Sequence, residues 1–190
     1  IEVCEERLNL SINDVDKRSY LNRQAYAFNE LKKYEEALAC CNKSLEIEND
    51  DWLSLLRKGY SYGKLGNHEE AIECYDKILI LWSRKQGNHE ATDITNELKK
   101  FDPTTDEFEN MGAKVDNEID IKTALKNKRW DLSVLNRHEE AIEVCEQLLN
   151  IEPEDEGVLV SFAYSLKICN RFEEALACYK KIIKKHIKTS

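Results

Sequence analysis

Four segments of this chain superimpose on one another without a gap, and that self-similarity limits the fold more than any other feature of the sequence. The segments run from Glu30 to Leu45, Lys64 to Leu79, Val134 to Leu149 and Ile168 to Ile183, and each carries Glu-Glu-Ala followed by Leu or Ile. Their alanines, Ala37, Ala71, Ala141 and Ala175, are spaced by 34, 70 and 34 residues. The middle gap is two periods plus two residues, so one divergent copy stands between. Copies of this length that stack on their neighbours form a solenoid with one continuous core.

Each copy reads as two helices. In the second, Ala71, Cys74, Tyr75, Ile78 and Leu79 recur at helical spacing. The alanine is small enough to let the two helices of a hairpin approach closely. Gly66, Asn136 and Asn170 stand at the turn between helices, where left-handed backbone is easy for Gly and tolerable for Asn. The Glu pair after the turn falls in the first turn of the second helix, where negative charge opposes the helix dipole favourably, and is read as a solvated helix start. Only 2 prolines and 6 glycines in 190 residues agree with long helices and short turns.

Counting from the alanines gives repeat frames of 18–51, 52–85, 122–155 and 156–189. The stretch 1–12 matches the sequence from Ile142 onward and reads as the second helix of a repeat whose first helix is missing. The divergent stretch 86–121 reads as a hairpin. One helix passes through Ala91, Ile94, Leu98 and Phe101, and Asp102-Pro103 ends it. A second passes through Phe108, Met111, Val115 and Ile119. The competing reading of 86–121 is a hinge between two rigid blocks.

The pattern resembles the tetratricopeptide repeat family, whose motif runs large-apolar, Leu-Gly, Tyr, then Ala, aromatic, Ala, Pro. In the second frame it reads Leu55, Lys58-Gly59, Tyr62, Gly66, Ala71, Tyr75 and Ile78. The last frame gives Leu159, Phe162-Ala163, Leu166, Asn170, Ala175, Tyr179 and Ile182. In 122–155 it reads Leu125, Lys128-Arg129, Leu132, Asn136, Ala141, Cys145, Leu148 and Pro153, with Arg129 in place of the small residue. The resemblance implies an all-α, right-handed α-solenoid of antiparallel helical hairpins, about five repeats plus an N-terminal half repeat.

It also implies that first helices line a concave groove. One equivalent column there holds Tyr26, Tyr60, Trp130 and Tyr164; three residues earlier stand Arg23, Arg57, Asn127 and Ser161; four earlier stand Asn22, Leu56, Lys126 and Val160. The expected partner-binding residues are therefore Arg23, Tyr26, Arg57, Tyr60, Lys126, Asn127, Trp130 and Tyr164, a row of aromatics with cations beside it. The competing reading is that the aromatics pack against the next first helix. Chaperone-binding members hold a terminal carboxylate with a Lys and Asn pair on the first helix. Asn22/Tyr26, Leu56/Tyr60, Lys126/Trp130 and Val160/Tyr164 do not supply that pair, so an extended or helical segment suits the groove better.

Seven cysteines are present, none in a CxxC pair. Cys4, Cys41 and Cys145 share one repeat position, and Cys40, Cys74 and Cys178 share the next. They read as free thiols packed between helices, in a reducing, cytoplasmic compartment. His68 and His138 occupy the place taken elsewhere by Tyr34 and Phe172, and read as aromatic substitutes rather than ligands. No P-loop, Gly-rich nucleotide motif or His-Glu-x-x-His appears, so no catalytic residue, metal ligand or cofactor is expected and the chain reads as non-enzymatic.

A net charge of −9 repels phosphate backbones, which argues against nucleic acid. The five lysines between Lys180 and Lys188 read as a solvated helix end. The longest apolar run, Ile78 to Trp82, is far short of the ~20 residues a membrane span needs. No signal segment opens the chain, which lacks an initiator Met and starts in mid-pattern, as expected of a fragment or processed product. Three functional readings stand: a scaffold binding a peptide or helix of another protein in its groove, a structural array that self-associates through its solenoid ends, and the interaction arm of a larger enzyme or regulator.

Overall fold

The computed structural model describes residues 13–85 and 112–188, and every element in them is helical. The eight helices are α1 Asp14–Glu30, α2 Tyr34–Ile47, α3 Trp52–Leu65, α4 His68–Lys85, α5 Gly112–Val134, α6 His138–Ile151, α7 Glu156–Ile168 and α8 Phe172–Lys188. The chain divides into two compact units, Ile1–Leu81 and Trp82–Ser190. The readings of 1–12 and of 86–111 lie outside the described residues.

All four described hairpins close in the same way. Lys32, Gly66, Asn136 and Asn170 take positive φ of 58°, 85°, 58° and 59°. The residue after each donates its N–H five residues back, as in Asn67 N to Tyr62 O at 2.9 Å and Arg171 N to Leu166 O at 2.8 Å. This satisfies carbonyls that the helix end would otherwise leave open. The Gly and Asn positions follow the sequence reading; Lys32 holds the equivalent turn without either residue. Each second helix then opens on its exposed Glu pair: Glu35 and Glu36, Glu69 and Glu70, Glu139 and Glu140, Glu173 and Glu174.

In the first unit α1 packs on α2, α2 on α3, and α1 also reaches α3 directly. The core holds Ala25, Cys40 and Cys41, with Phe28 against them, and Leu55, Ala71, Tyr75, Ile78 and Leu79 are buried farther along. In the second unit α5 packs on α6, α6 on α7 and α7 on α8. Its core holds Ile142, Leu159, Ala163, Leu166, Ala175 and Cys178, lined by Leu149, Phe162 and Ile182. Both cysteine columns are buried wherever they are described. Burial pushes the thiols of Cys41 and Cys145 up to about 12 and that of Cys74 to about 11.

The departure at Arg129 has a structural counterpart across the hairpin. Gly59, its equivalent, lies under the ring of Tyr75. Where Arg129 replaces the glycine, the residue equivalent to Tyr75 is Cys145, and the guanidinium lies close enough to act on that thiol. A large residue on one helix is answered by a small one on the other.

One difference concerns α5. The sequence reading sets the end of a divergent hairpin at 121 and the start of a repeat at 122, but α5 runs unbroken from Gly112 through Val134. No Gly or Pro falls between Ala113 and Val134, so nothing there interrupts the helix.

Candidate functional site

The first helices of the repeats present the expected aromatic column to solvent. Tyr26 on α1 and Tyr60 on α3 are 55% and 39% exposed; Trp130 on α5 and Tyr164 on α7 are 61% and 49% exposed. An exposed aromatic at one recurring position is unusual, because large apolar side chains ordinarily take the buried face.

In the first unit cations surround these rings. The Arg57 guanidinium lies 5.8 Å from the Tyr26 ring centre, bridging α1 and α3, and Lys64 Nζ lies 5.2 Å from that of Tyr60. Arg23 is exposed beside Tyr26 and Arg57 is half-buried. Together Arg23, Tyr26, Arg57 and Tyr60 form one cationic and aromatic face.

In the second unit Tyr164 stands edge-on to His138, with ring centres 5.8 Å apart and planes at 69°, and Lys167 Nζ lies 5.8 Å from the Tyr164 ring centre. His138 is buried and packs as an aromatic, as its position in the repeat suggests. Trp130 is the most exposed member of the column, and Asn127 is half-buried. Lys126 has a structural engagement that the repeat pattern does not disclose. Its Nζ donates to Asp155 Oδ2 at 2.9 Å, and that hydrogen bond holds the Asp155 carboxyl below its ordinary pKa. Asp155 also caps α7 by accepting from Val158 N at 3.1 Å.

Asn22, the matching position on α1, is likewise occupied. Its Nδ2 donates to Asp51 Oδ2 at 2.7 Å, and its Oδ1 accepts from Ser54 at 2.9 Å. Seven residues on, Asn29 Oδ1 accepts from Ser61 at 2.7 Å. Two buried asparagines on α1 thus meet two buried serines on α3, and successive first helices are joined by a polar seam. The sequence reading passes over this seam, since Asn22, Asn29 and Ser54 do not repeat and Ser61 recurs only as Ser165. A buried Asn or Ser at core spacing was the available signal, because such groups must find partners.

An open depression over the bend between α6 and α7 is lined by Ile151, Glu152, Pro153, Glu154 and Asp155. Two of its carboxylates are already engaged, Glu152 by Lys122 and Asp155 by Lys126. Among the described residues no group of three His, Cys, Asp or Glu side chains is placed to hold a metal ion. No described helix is long and apolar enough to cross a membrane.

Two family models, each of the tetratricopeptide repeat, match the chain, one over residues 52–83 and the other over 19–51 and 134–155. Residues 19–83 and 134–155 are thus tetratricopeptide repeats, helical hairpins of a class that serves protein interaction. No curated protein sequence matches it. Similar solved structures include a crystal structure of MamA protein, 16% identical, covering 90% of this chain and 92% of that one with a TM-score of 0.39. Another is YrrB, described as a TPR protein with an unusual peptide-binding site, 14% identical, covering 95% of this chain and 91% of that one with a TM-score of 0.40.

Proposed function

We propose that this chain is a non-catalytic scaffold whose first-helix faces bind a peptide or helix of a partner protein. The observation that carries the reading is the exposed aromatic column, Tyr26 and Tyr60 in one unit and Trp130 and Tyr164 in the other. Rigid aromatics set among cations supply large contact area at low entropic cost, the composition of an interface hot spot. Arg23 and Arg57 favour a partner segment with acidic as well as apolar side chains. The buried free thiols suit a reducing compartment, and the cytoplasm is the proposed location.

The test is paired affinity capture from the source lysate. One bait is the wild type; the other carries Tyr60→Ala and Trp130→Ala and is first checked for unchanged helicity and melting. A protein held only by the wild type, and then bound directly when purified, supports the reading. Equal retention by both baits moves the binding surface away from the first-helix column.

A further inference from the structure

The two units leave different side chains free on their first-helix faces. Asn22 and Lys126 stand at one repeat position, and both are engaged by the aspartate that precedes the next first helix. Asn22 donates to Asp51 at 2.7 Å, and Lys126 to Asp155 at 2.9 Å. Charge offered to a partner therefore falls to the neighbouring position. In the first unit that position holds Arg23 and Arg57; in the second it holds Asn127 and Ser161. The Ser161 hydroxyl is itself turned inward, donating to Gly157 O at 2.8 Å.

The two arginines meet at one ring. Arg23 precedes Tyr26 by three residues, so they are neighbours on the surface of α1. The Arg57 guanidinium reaches across from α3 to lie 5.8 Å from the Tyr26 ring centre. Farther along α3, Lys64 Nζ lies 5.2 Å from the ring centre of Tyr60. α3 carries Arg57, Lys58 and Lys64 and no Asp or Glu. Arg23 and Lys64 are exposed, and neither has an ion-pair partner among the described residues. Glu30 stands one turn beyond Tyr26, on the side away from Arg23. A chain of net charge −9 thus gathers positive charge around Tyr26.

The second unit's face is apolar by comparison. Trp130 and Val134 on α5 are exposed four residues apart, and Val160, Tyr164 and Ile168 repeat that spacing on α7. Lys122 and Lys126 of α5 are held by Glu152 and Asp155, and Lys167 lies over the Tyr164 ring.

On the reading that first-helix faces bind a partner segment, we infer that the two faces read different chemistry: the first unit takes an acidic stretch of polypeptide, and the second takes uncharged apolar side chains. Carboxylates of the acidic stretch pair with Arg23 and Arg57, whose planar guanidinium groups suit them. Its aromatic or aliphatic side chains lie on Tyr26 and Tyr60. Complementary charge selects this occupant and excludes a basic one.

Fluorescence anisotropy on the full chain tests this with three labelled peptides of equal length. One is built of Glu, Tyr and Leu, one has Gln in place of Glu, and one has Lys there. The wild type is expected to bind the Glu peptide about tenfold or more tighter than the Gln peptide, and less tightly as NaCl is added. Arg23→Glu is expected to weaken the Glu peptide about tenfold, whereas Lys167→Glu, an equal change of charge on the second face, shifts it by less than about twofold. Arg23→Glu combined with Lys64→Glu is expected to bind the Lys peptide more tightly than the wild type does, a gain that misfolding would not produce. All three substituted positions are exposed, so melting temperatures should stay at the wild-type value. A wild type that binds the Glu and Gln peptides equally, or neither, overturns the inference. So does a Glu peptide weakened alike by Arg23→Glu and Lys167→Glu. A single-stranded oligonucleotide bound more tightly than the Glu peptide overturns it in favour of nucleic acid. A natural partner that requires Tyr60 and Trp130 but is indifferent to Arg23→Glu overturns it while leaving the scaffold reading intact.

Discussion

Gly59 and Tyr75 leave no space between them: a Cβ on Gly59 would stand 2.6 Å from Tyr75 Cε1 and 2.8 Å from its Cζ. The glycine sits in the interior of α3, where alanine is ordinarily better by about 1 kcal/mol. Here the ring reverses that preference. Gly59→Ala is expected to destabilise the chain by about 1–3 kcal/mol, as overpacked cores do. With Tyr75→Cys in place, as Cys41 and Cys145 stand in the equivalent positions, the same substitution is expected to be neutral or stabilising. A double-mutant cycle by urea unfolding measures the coupling. A Gly59→Ala cost independent of residue 75 would refute the pairing.

Lys32 makes a second prediction, with the opposite sign. It is the only described hairpin turn with neither Gly nor Asn at the left-handed residue, and its φ of 58° strains any residue with a Cβ. Lys32→Gly is expected to stabilise the chain by about 0.5–1 kcal/mol, and Lys32→Asn by less. The melting temperature reports it directly. A lowered melting temperature for both variants would mean the side chain contributes more than the strain costs.

These two residues mark how far the sequence was legible. Gly66, Asn136 and Asn170 announced their turns because the residue type itself carries the conformation. The cysteine columns followed from repeat register, and the exposed aromatics from the same register together with what the resemblance implies for first helices. Lys32 was silent, since lysine has no left-handed preference. The partners of the column were silent for another reason. Arg57 over Tyr26, His138 against Tyr164 and Lys126 on Asp155 all join residues about one repeat apart, and lateral packing decides such contacts. The seam of Asn22 with Ser54 and Asn29 with Ser61 spans 32 residues in each pair and occurs in one unit, so periodicity could not reveal it. The frame start at 122 falls inside α5, because a repeat frame counts residues, whereas a helix ends only where something ends it.

The polar seam predicts an asymmetry between its two partners. Asn22 is buried, and its amide serves both Asp51 and Ser54. Asn22→Ala takes one donor from Asp51, which still accepts from Ser54 and Ser44, and one acceptor from Ser54, which still donates to Asp51, and is expected to cost about 1–2 kcal/mol. Asn22→Ala with Ser54→Ala removes donor and acceptor together and should cost less than the sum of the singles. Chemical denaturation of the three variants checks this. Strict additivity would mean that the hydrogen bond contributes nothing to stability.

Asp155 carries the pH prediction. Its carboxyl is held low, first by the hydrogen bond from Lys126 and also by the backbone N–H of Val158. A carboxylate whose pKa is lower folded than unfolded binds protons more readily in the unfolded chain, so its stabilisation is complete above the ordinary carboxylate pKa of about 3.9. That stabilisation is lost as pH falls from there through the lowered folded value. Lys126→Met removes the larger cause and leaves the cap to Val158. The variant is therefore expected to be less stable than wild type at neutral pH and to lose stability less steeply on acidification, so that the two urea midpoints converge in acid. Curves that stay parallel would mean that Lys126 does not act through Asp155. Lys126 would then be left to the proposed binding face alone.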